Sequence, residues 1–312
     1  VIVPVSAILP TRNRAPILAR FLETLSRQEV LPAEIVICDG SDNDATDNLI
    51  QSERSRWDSR VRWVYGRAAR IGLAPQRNQA VASAAQPFVW FLDDDILLEP
   101  GCLRWLYETV SREATTGGAT ASLVNEPYHS PGRMTRALMR WFEDGRTRPT
   151  YASACVGPGW TFLHDLHGPA LNHAEWMGGG CTLYRKAALP VPAVPDHFEG
   201  GAIGEDLAAS LHVAKSWHTW HVRDARCIHD SQGGSHKRSA SALADQGLRN
   251  RYWIMTRVMG KATHRDHFDF ALMHAFTLAS LLARPSQWRC VLPNVTGCLR
   301  GIHKLMTPRA HG

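Results

Sequence analysis

Five consecutive apolar residues, Phe88 to Leu92, run directly into three aspartates, Asp93, Asp94 and Asp95. A short unbroken apolar run reads as a strand covered on both faces, which puts it inside a sheet flanked by helices. Three adjacent carboxylates at its end repel one another and lose hydration. A divalent cation offsets that cost, and a hard ion such as Mg²⁺ needs only one or two of them, taking phosphate and water oxygens for the rest.

The residues before this run alternate in the same spirit. Val5 to Leu9, Ile35 to Cys38 and Val61 to Tyr65 read as strands, and they are separated by amphipathic stretches, the pattern of a mostly parallel α/β sheet. Pro16 suits a first helical position, after which Ile17, Leu18, Phe21, Leu22 and Leu25 fall on one face. A second helix is expected across Ala74 to Ala85. In open α/β sheets ligands bind beyond the carboxyl ends of the strands. Thr11, Asp39 and the aspartate triplet are therefore expected in one crevice.

Beyond Ser235 the pattern changes to long helical stretches, Ser239 to Met259, His267 to Leu282 and Val291 to Leu305. We expect a domain over 1–235, then a helical extension over 236–312. Neither a repeat nor a low-complexity tract interrupts this order.

Charge is uneven along the chain. From His212 onward there are fifteen Lys or Arg against five Asp or Glu. Such a surface suits nucleic acid, anionic lipid or a phosphorylated acceptor, and charge alone does not choose among them. Arg249, Arg251, Arg257, Lys261 and Arg265 interleave with Trp253, Ile254, Val258 and Met259, a mixture suited to peripheral contact with an anionic membrane. The longest apolar candidate for a span, Phe270 to Leu282, is too short and is interrupted by His274. Seven widely spaced cysteines without a C-x-x-C pair read as reduced thiols of a cytoplasmic protein. The missing initial Met is read as a few absent leading residues, and no signal-peptide pattern is visible.

Five segments, PTRNRAPIL, ICDGSDND, IGLAPQRNQAVASA, FLDDDILLEP and GAIGEDLAASL, resemble the successive motifs of glycosyltransferase family 2 in order and spacing. The resemblance spans about residues 5–230. It implies a GT-A fold, a Rossmann-like mixed sheet flanked by helices. It also implies an inverting enzyme that moves a sugar from a nucleoside-diphosphate donor (UDP-, GDP- or dTDP-sugar) to an acceptor hydroxyl with Mn²⁺ or Mg²⁺. The acceptor would be a glycan, a lipid-linked molecule or a small molecule, not a nucleic acid, within polysaccharide, glycolipid or glycoconjugate synthesis.

By the same resemblance Pro10, Thr11, Arg12 and Asn13 line the nucleotide, and Asp39 binds the base, whose imide or amino donors a carboxylate accepts. Cys38 stands where many relatives carry a second acid. Arg77 and Asn78 match an R-N pair near the base or diphosphate, where planar guanidinium donors suit phosphate oxygens. Asp95 is the metal contact and Asp93 holds the ribose or a metal-bound water, with Asp94 the alternative second ligand. His229 is the third metal ligand, and His236 is its rival. Gly178, Gly179 and Gly180 correspond to a glycine-rich segment beside the sugar, and Trp176 is placed to stack on a sugar ring or to fill core. Asp206 is the catalytic base, because a hydroxyl attacks only once a carboxylate within reach takes its proton. Glu205 orients the acceptor.

Two other readings share these residues. A nucleotidyltransferase also needs an acidic metal crevice, but PTRNR lacks the glycine-rich phosphate loop expected there. A non-catalytic nucleotide- or carbohydrate-binding protein leaves Asp206 without a task.

Overall fold

The computed structural model describes residues 1–125, 170–198, 203–231, 239–282 and 285–307, with the single positions 133, 134 and 137. Two compact units divide the chain, one carrying the described residues of 1–125 and 170–231 and the other those from 239 onward together with positions 133, 134 and 137.

The first unit is built on a mixed sheet. Its strands are β1 (Ile2–Thr11), β2 (Leu31–Asp39), β3 (Arg62–Arg67), β4 (Phe88–Leu92), β5 (Ile96–Leu98), β6 (Thr116–Leu123), β7 (Leu171–His173), β8 (Cys181–Arg185) and β9 (His218–His229). They lie in the order β3-β2-β1-β4-β8-β6-β9-β5, with β7 on β9. The first four run parallel, β8 runs antiparallel to both β4 and β6, and β6 and β9 are again parallel. Helices α1 (Ala15–Ser26), α2 (Ala45–Arg54), α3 (Leu73–Ser83), α4 (Cys102–Arg112) and α5 (Glu205–Ala214) belong to the same unit.

β4 is buried along its whole length, as its apolar run requires. Leu18, Phe21, Leu22 and Leu25 of α1 are fully enclosed in the same core as Trp90, Leu92 and Leu103. Burying a side chain of this size contributes about 1.5–3 kcal/mol, and it fixes which face of α1 meets the sheet. Parallel register then aligns the strand ends. Thr11 pairs with Asp39, and Asp39 with Arg67, so three polar residues stand in a row at one edge. The β1–β4 register carries Thr11 on toward Asp94 at the same sequence offset, 83, that their side-chain hydrogen bond spans.

β6 has little of the branched or aromatic content that marks strands, and its sequence, TGGATASL, carries no such expectation. Crowding explains its composition: a Cβ on Gly117 would lie 2.5 Å from Trp217 Cβ, and one on Gly118 3.0 Å from Tyr184. Small residues are the ones that fit there.

The second unit contains α6 (Ala240–Trp253) running into a π turn, Ile254–Val258, then α7 (His264–Leu282) and α8 (Trp288–Met306). Ser239 caps α6, its hydroxyl accepting the Ala242 amide at 3.3 Å. Ile254, expected at a membrane, is instead fully buried beside Met255 in the packing of this unit. Arg249, from the same expected surface, is tied to Asp245 at 2.9 Å. None of the helices among the described residues is long and apolar enough to cross a membrane. Six cysteines are described and none is in a disulfide, while Cys155 lies outside the described residues.

Candidate active site

The triplet forms a tight turn between β4 and β5, closed by the Ile96 amide donating to the Asp93 carbonyl at 3.3 Å. A turn splays consecutive side chains, so Asp93 faces Arg77 while Asp94 and Asp95 share Arg14. Asp93 Oδ1 accepts from Arg77 Nη2 at 2.7 Å. Asp94 accepts from the Thr11 hydroxyl at 2.6 Å and pairs with Arg14 at 2.7 Å. Asp95 Oδ2 accepts from Arg14 at 2.8 Å, and its Oδ1 lies 3.6 Å from His229 Nε2.

Environment separates their protonation. Burial pushes Asp94 up to about 6, against the pull of Thr11 and Arg14. Burial also works against ionisation of Asp95, yet the His229 and Arg14 contacts outweigh it and hold that carboxyl below its ordinary value. Arg14 lies within the PTRNR segment but had no expected role. Its signal was available only once the β1–β4 register was known.

A divalent cation can be tested against this donor set. Among the described residues no three of His, Cys, Asp and Glu converge as a metal-holding group. The Asp95 oxygen and the His229 imidazole do converge, and an oxygen with an imidazole suits Mn²⁺. Asp93, one-third exposed in the same turn, is turned to Arg77, so the Asp95 and His229 pair fits an ion that draws most of its ligands from phosphates and water. His236 lies outside the described residues.

Asp39 is buried at the end of β2. Its Oδ1 accepts the Ser41 amide at 2.8 Å, and its Oδ2 accepts Tyr65 Oη at 2.9 Å and Arg67 at 3.0 Å. Tyr65 and Arg67 were not foreseen, although Arg67 is the in-register neighbour of Asp39. Asn13 takes a left-handed backbone (φ 55°) and exchanges hydrogen bonds with Asp42 at 2.8 and 2.9 Å. Arg12 is exposed and lies 3.6 Å from the same Asp42. Pro10 pairs with Cys38 within the sheet.

Arg77 and Asn78, expected near the base or diphosphate, are both held by partners within the protein. Arg77 is enclosed, with 1% of its side chain exposed. Nη1 donates to Glu205 Oε1 at 2.9 Å, and Nη2 donates to Asp93 and to the Gly179 carbonyl, while Nε has no partner. Two carboxyl groups of its own chain, Glu205 and Asp93, are thus its side-chain partners. Asn78 makes a two-way clasp with the Val194 backbone, 2.8 Å in each direction.

Gly179 and Gly180 form the strap between the acidic groups. The Gly179 amide donates to Asp206 Oδ2 at 3.1 Å, and the Gly180 carbonyl accepts the Asp93 amide at 3.1 Å. Any Cβ on Gly179 would lie 2.7 Å from Arg77 Nη1, and one on Gly180 3.2 Å from Asp93 Oδ2. Glycine is required here by close approach.

Glu205 and Asp206 open α5. Asp206 Oδ1 accepts the Leu207 amide at 2.7 Å, which with Gly179 fixes both oxygens. Burial raises its pKa, and the Trp176 side chain with these amides offsets only part of the rise. Glu205 is pushed up to about 8, first by burial and then by the neighbouring Asp206. Asp93, Arg77, Glu205, Gly179 and Asp206 form one hydrogen-bonded set.

Residues 6–168 match the family model described as "Glycosyl transferase family 2". A 103-residue stretch is 29% identical to GalNAc(5)-diNAcBac-PP-undecaprenol beta-1,3-glucosyltransferase of Campylobacter jejuni, covering 33% of each chain. The match thus spans about a third of that relative's length. Over 262 residues the chain is 25% identical to N-acetylglucosaminyl-diphospho-decaprenol L-rhamnosyltransferase of Mycobacterium tuberculosis, covering 78% of this chain and 80% of the relative. In fold it is similar to a mannosyltransferase from Pyrobaculum calidifontis solved in complex with GDP-Man and Mn²⁺, with a TM-score of 0.60 and 14% identity, over 98% of this chain and 88% of that one. The GT-A type of mixed α/β fold, expected from the motifs, is borne out.

Proposed function

The chain belongs to glycosyl transferase family 2, and from that premise we propose that it moves a sugar from a nucleoside-diphosphate sugar to an acceptor hydroxyl with inversion. The observation that carries this reading is the Gly179–Gly180 strap, which bonds to Asp206 on one side and to the Asp93 turn on the other. A base for the acceptor and carboxylates for the leaving group are thereby held on one short piece of main chain. Asp206, fixed by two amides and with its pKa raised, is the general base. Proton removal by a carboxylate of raised pKa is most effective near the working pH. One base facing a departing diphosphate implies a single displacement, hence inversion.

Asp95 and His229 would hold Mn²⁺ or Mg²⁺, with Asp93, two residues away in the same turn, for the ribose or a metal-bound water. Such an ion neutralises the charge that develops on the diphosphate. Arg14 steadies Asp94 and Asp95 for that task, and Arg77 bridges Asp93 and Glu205. Asp39 sits where a nucleobase would lie against the ends of β1 to β3, with Thr11 beside it. In this proposal residues 1–235 are the catalytic part and 236–312 its helical extension.

The acceptor we favour is lipid-linked. Two relatives carry a polyprenyl diphosphate in their names, undecaprenol in one and decaprenol in the other. Transfer to such a molecule takes place at a membrane surface.

The test is release of free nucleoside diphosphate from a panel of nucleotide sugars with Mn²⁺ and a polyprenyl-diphosphate acceptor. Asp206→Asn is expected to retain donor binding, read by thermal shift, while turnover falls about 10²- to 10⁴-fold. Asp95→Ala is expected to weaken donor binding only when metal is present. Near-normal turnover by Asp206→Asn, or release of pyrophosphate in place of a nucleoside diphosphate, overturns the reading.

A further inference from the structure

Helix α8 wears its apolar residues on the outside. Trp288, Leu292, Leu299, Ile302 and Met306 are 44–78% exposed, and at 3.6 residues per turn they fall in one narrow sector of the helix. The opposite sector is the one that packs within its own unit. Gly297 and Gly301 are buried there, and a Cβ on Gly297 would stand 2.3 Å from the Ser241 carbonyl of α6. A helix of a water-soluble unit ordinarily turns its apolar stripe inward. α8 turns glycine inward and tryptophan and leucine outward.

The border of the stripe is cationic. Arg289 and Arg300 are exposed along one side of it, His303 lies between them and the apolar row, and α8 contains no Asp or Glu. Leu282, also exposed, is brought to the same end of the helix by the Trp288 indole N–H donating to its carbonyl at 2.9 Å. An apolar face edged by arginine, with Trp at one end, is the arrangement of a helix lying in the plane of a membrane interface. Over its 19 residues α8 would lie along about 28 Å of that interface. The row is one side chain wide, a poor match for the roughly 800 Å² per partner that a stable protein interface takes.

We propose that this outward face of α8 docks on a bilayer carrying anionic headgroups, the apolar row entering the acyl boundary while Arg289 and Arg300 meet lipid phosphates. Docking of this kind deepens the acceptor half of the reading above, which it rests on for its purpose alone. Vesicle binding needs no turnover, so failure of one is distinguishable from failure of the other.

The experiment is co-sedimentation of the full chain with phosphatidylcholine vesicles, with and without phosphatidylglycerol, at low and high salt. The native chain is expected to partition at least tenfold more strongly onto the anionic vesicles at low salt and to lose most of that preference at high salt. The double substitution Leu292→Glu with Leu299→Glu, at positions exposed enough to leave folding intact, is expected to reduce binding at least tenfold with an unchanged thermal melt. Arg289→Glu with Arg300→Glu is expected to remove the preference for anionic lipid. Equal binding to both vesicle types, or undiminished binding by the Leu292/Leu299 variant, overturns the proposal. So does a concentration-dependent dimer that the same variant dissolves, since a second copy would then be the occupant.

Discussion

Arg77 Nη1 donates to Glu205 Oε1 at 2.9 Å, joining residues 128 positions apart inside an enclosed contact. The same guanidinium reaches Asp93 at 2.7 Å, so one cation serves both halves of the candidate site. Removing it strands Glu205 in the interior without its donor. Arg77→Ala should cost about 1–3 kcal/mol in urea unfolding, the scale for leaving a buried polar group without its partner. Arg77→Met combined with Glu205→Gln should cost much less. Equal losses in the two variants would show that packing, and not charge, governs this contact.

Glu205 also gives the chain a distinct pH response. Its carboxyl is pushed up to about 8, whereas a glutamate in the unfolded chain titrates near roughly 4.3. The folded form therefore holds this proton the more tightly. By linkage its contribution is complete below the lower value and is lost as pH climbs through about 8. Urea midpoints measured from about pH 5 to pH 8 should fall more steeply for the native chain than for Glu205→Gln. Parallel slopes would mean that Glu205 is ionised throughout.

Gly179 is pressed between the site's charges, and its neighbour Gly178 is not. A methyl at 179 would meet Arg77 Nη1 at 2.7 Å and Asp206 Cβ at 3.1 Å, whereas one at 178 meets nothing within 4 Å. Gly179→Ala should therefore displace Arg77 or Asp206, destabilise the fold by about 1–3 kcal/mol and depress turnover. Gly178→Ala should leave both near native. Comparing kcat and melting temperature for the pair separates close approach from a general intolerance of the segment.

What was legible in the sequence followed from periodicity and from strand ends. The apolar run Phe88 to Leu92 fixed a buried strand, and the aspartates after it fixed where polar chemistry had to gather. The partners of those aspartates were not legible, because they depend on register. Arg14 reaches Asp94 and Asp95 across 80 or so residues, and Arg67 meets Asp39 through the β2–β3 pairing. The partners of Arg77 were not legible for a related reason: its side chain meets Glu205, whose position depends on a distant helix. β6 escaped because its residues were chosen for lack of bulk. In the helical unit the apolar content was plain, but the side facing out was not. Ile254 went inward, and the row beginning at Trp288 went outward.

Gly297 is the residue on which that outward row depends. It lies in α8 with an ideal Cβ position 2.3 Å from the Ser241 carbonyl and 2.7 Å from Ala244 Cβ, both on α6. Backbone cannot yield as a flexible side chain does, so a methyl there must push the two helices apart. Gly247, in the middle of α6, has nothing within 4 Å of its ideal Cβ. Ordinary helix propensity then favours alanine at 247 by up to about 1 kcal/mol, through the backbone freedom that glycine loses on folding. Gly297→Ala should lower stability by about 1–3 kcal/mol in spite of the same propensity gain, because overpacking outweighs it. Urea unfolding of the two single variants, followed by helical circular dichroism, should show shifts of opposite sign. A stabilising Gly297→Ala would mean that α6 and α8 do not pack through this glycine, and the outward orientation of Trp288, Leu292 and Leu299 would then lose its structural basis.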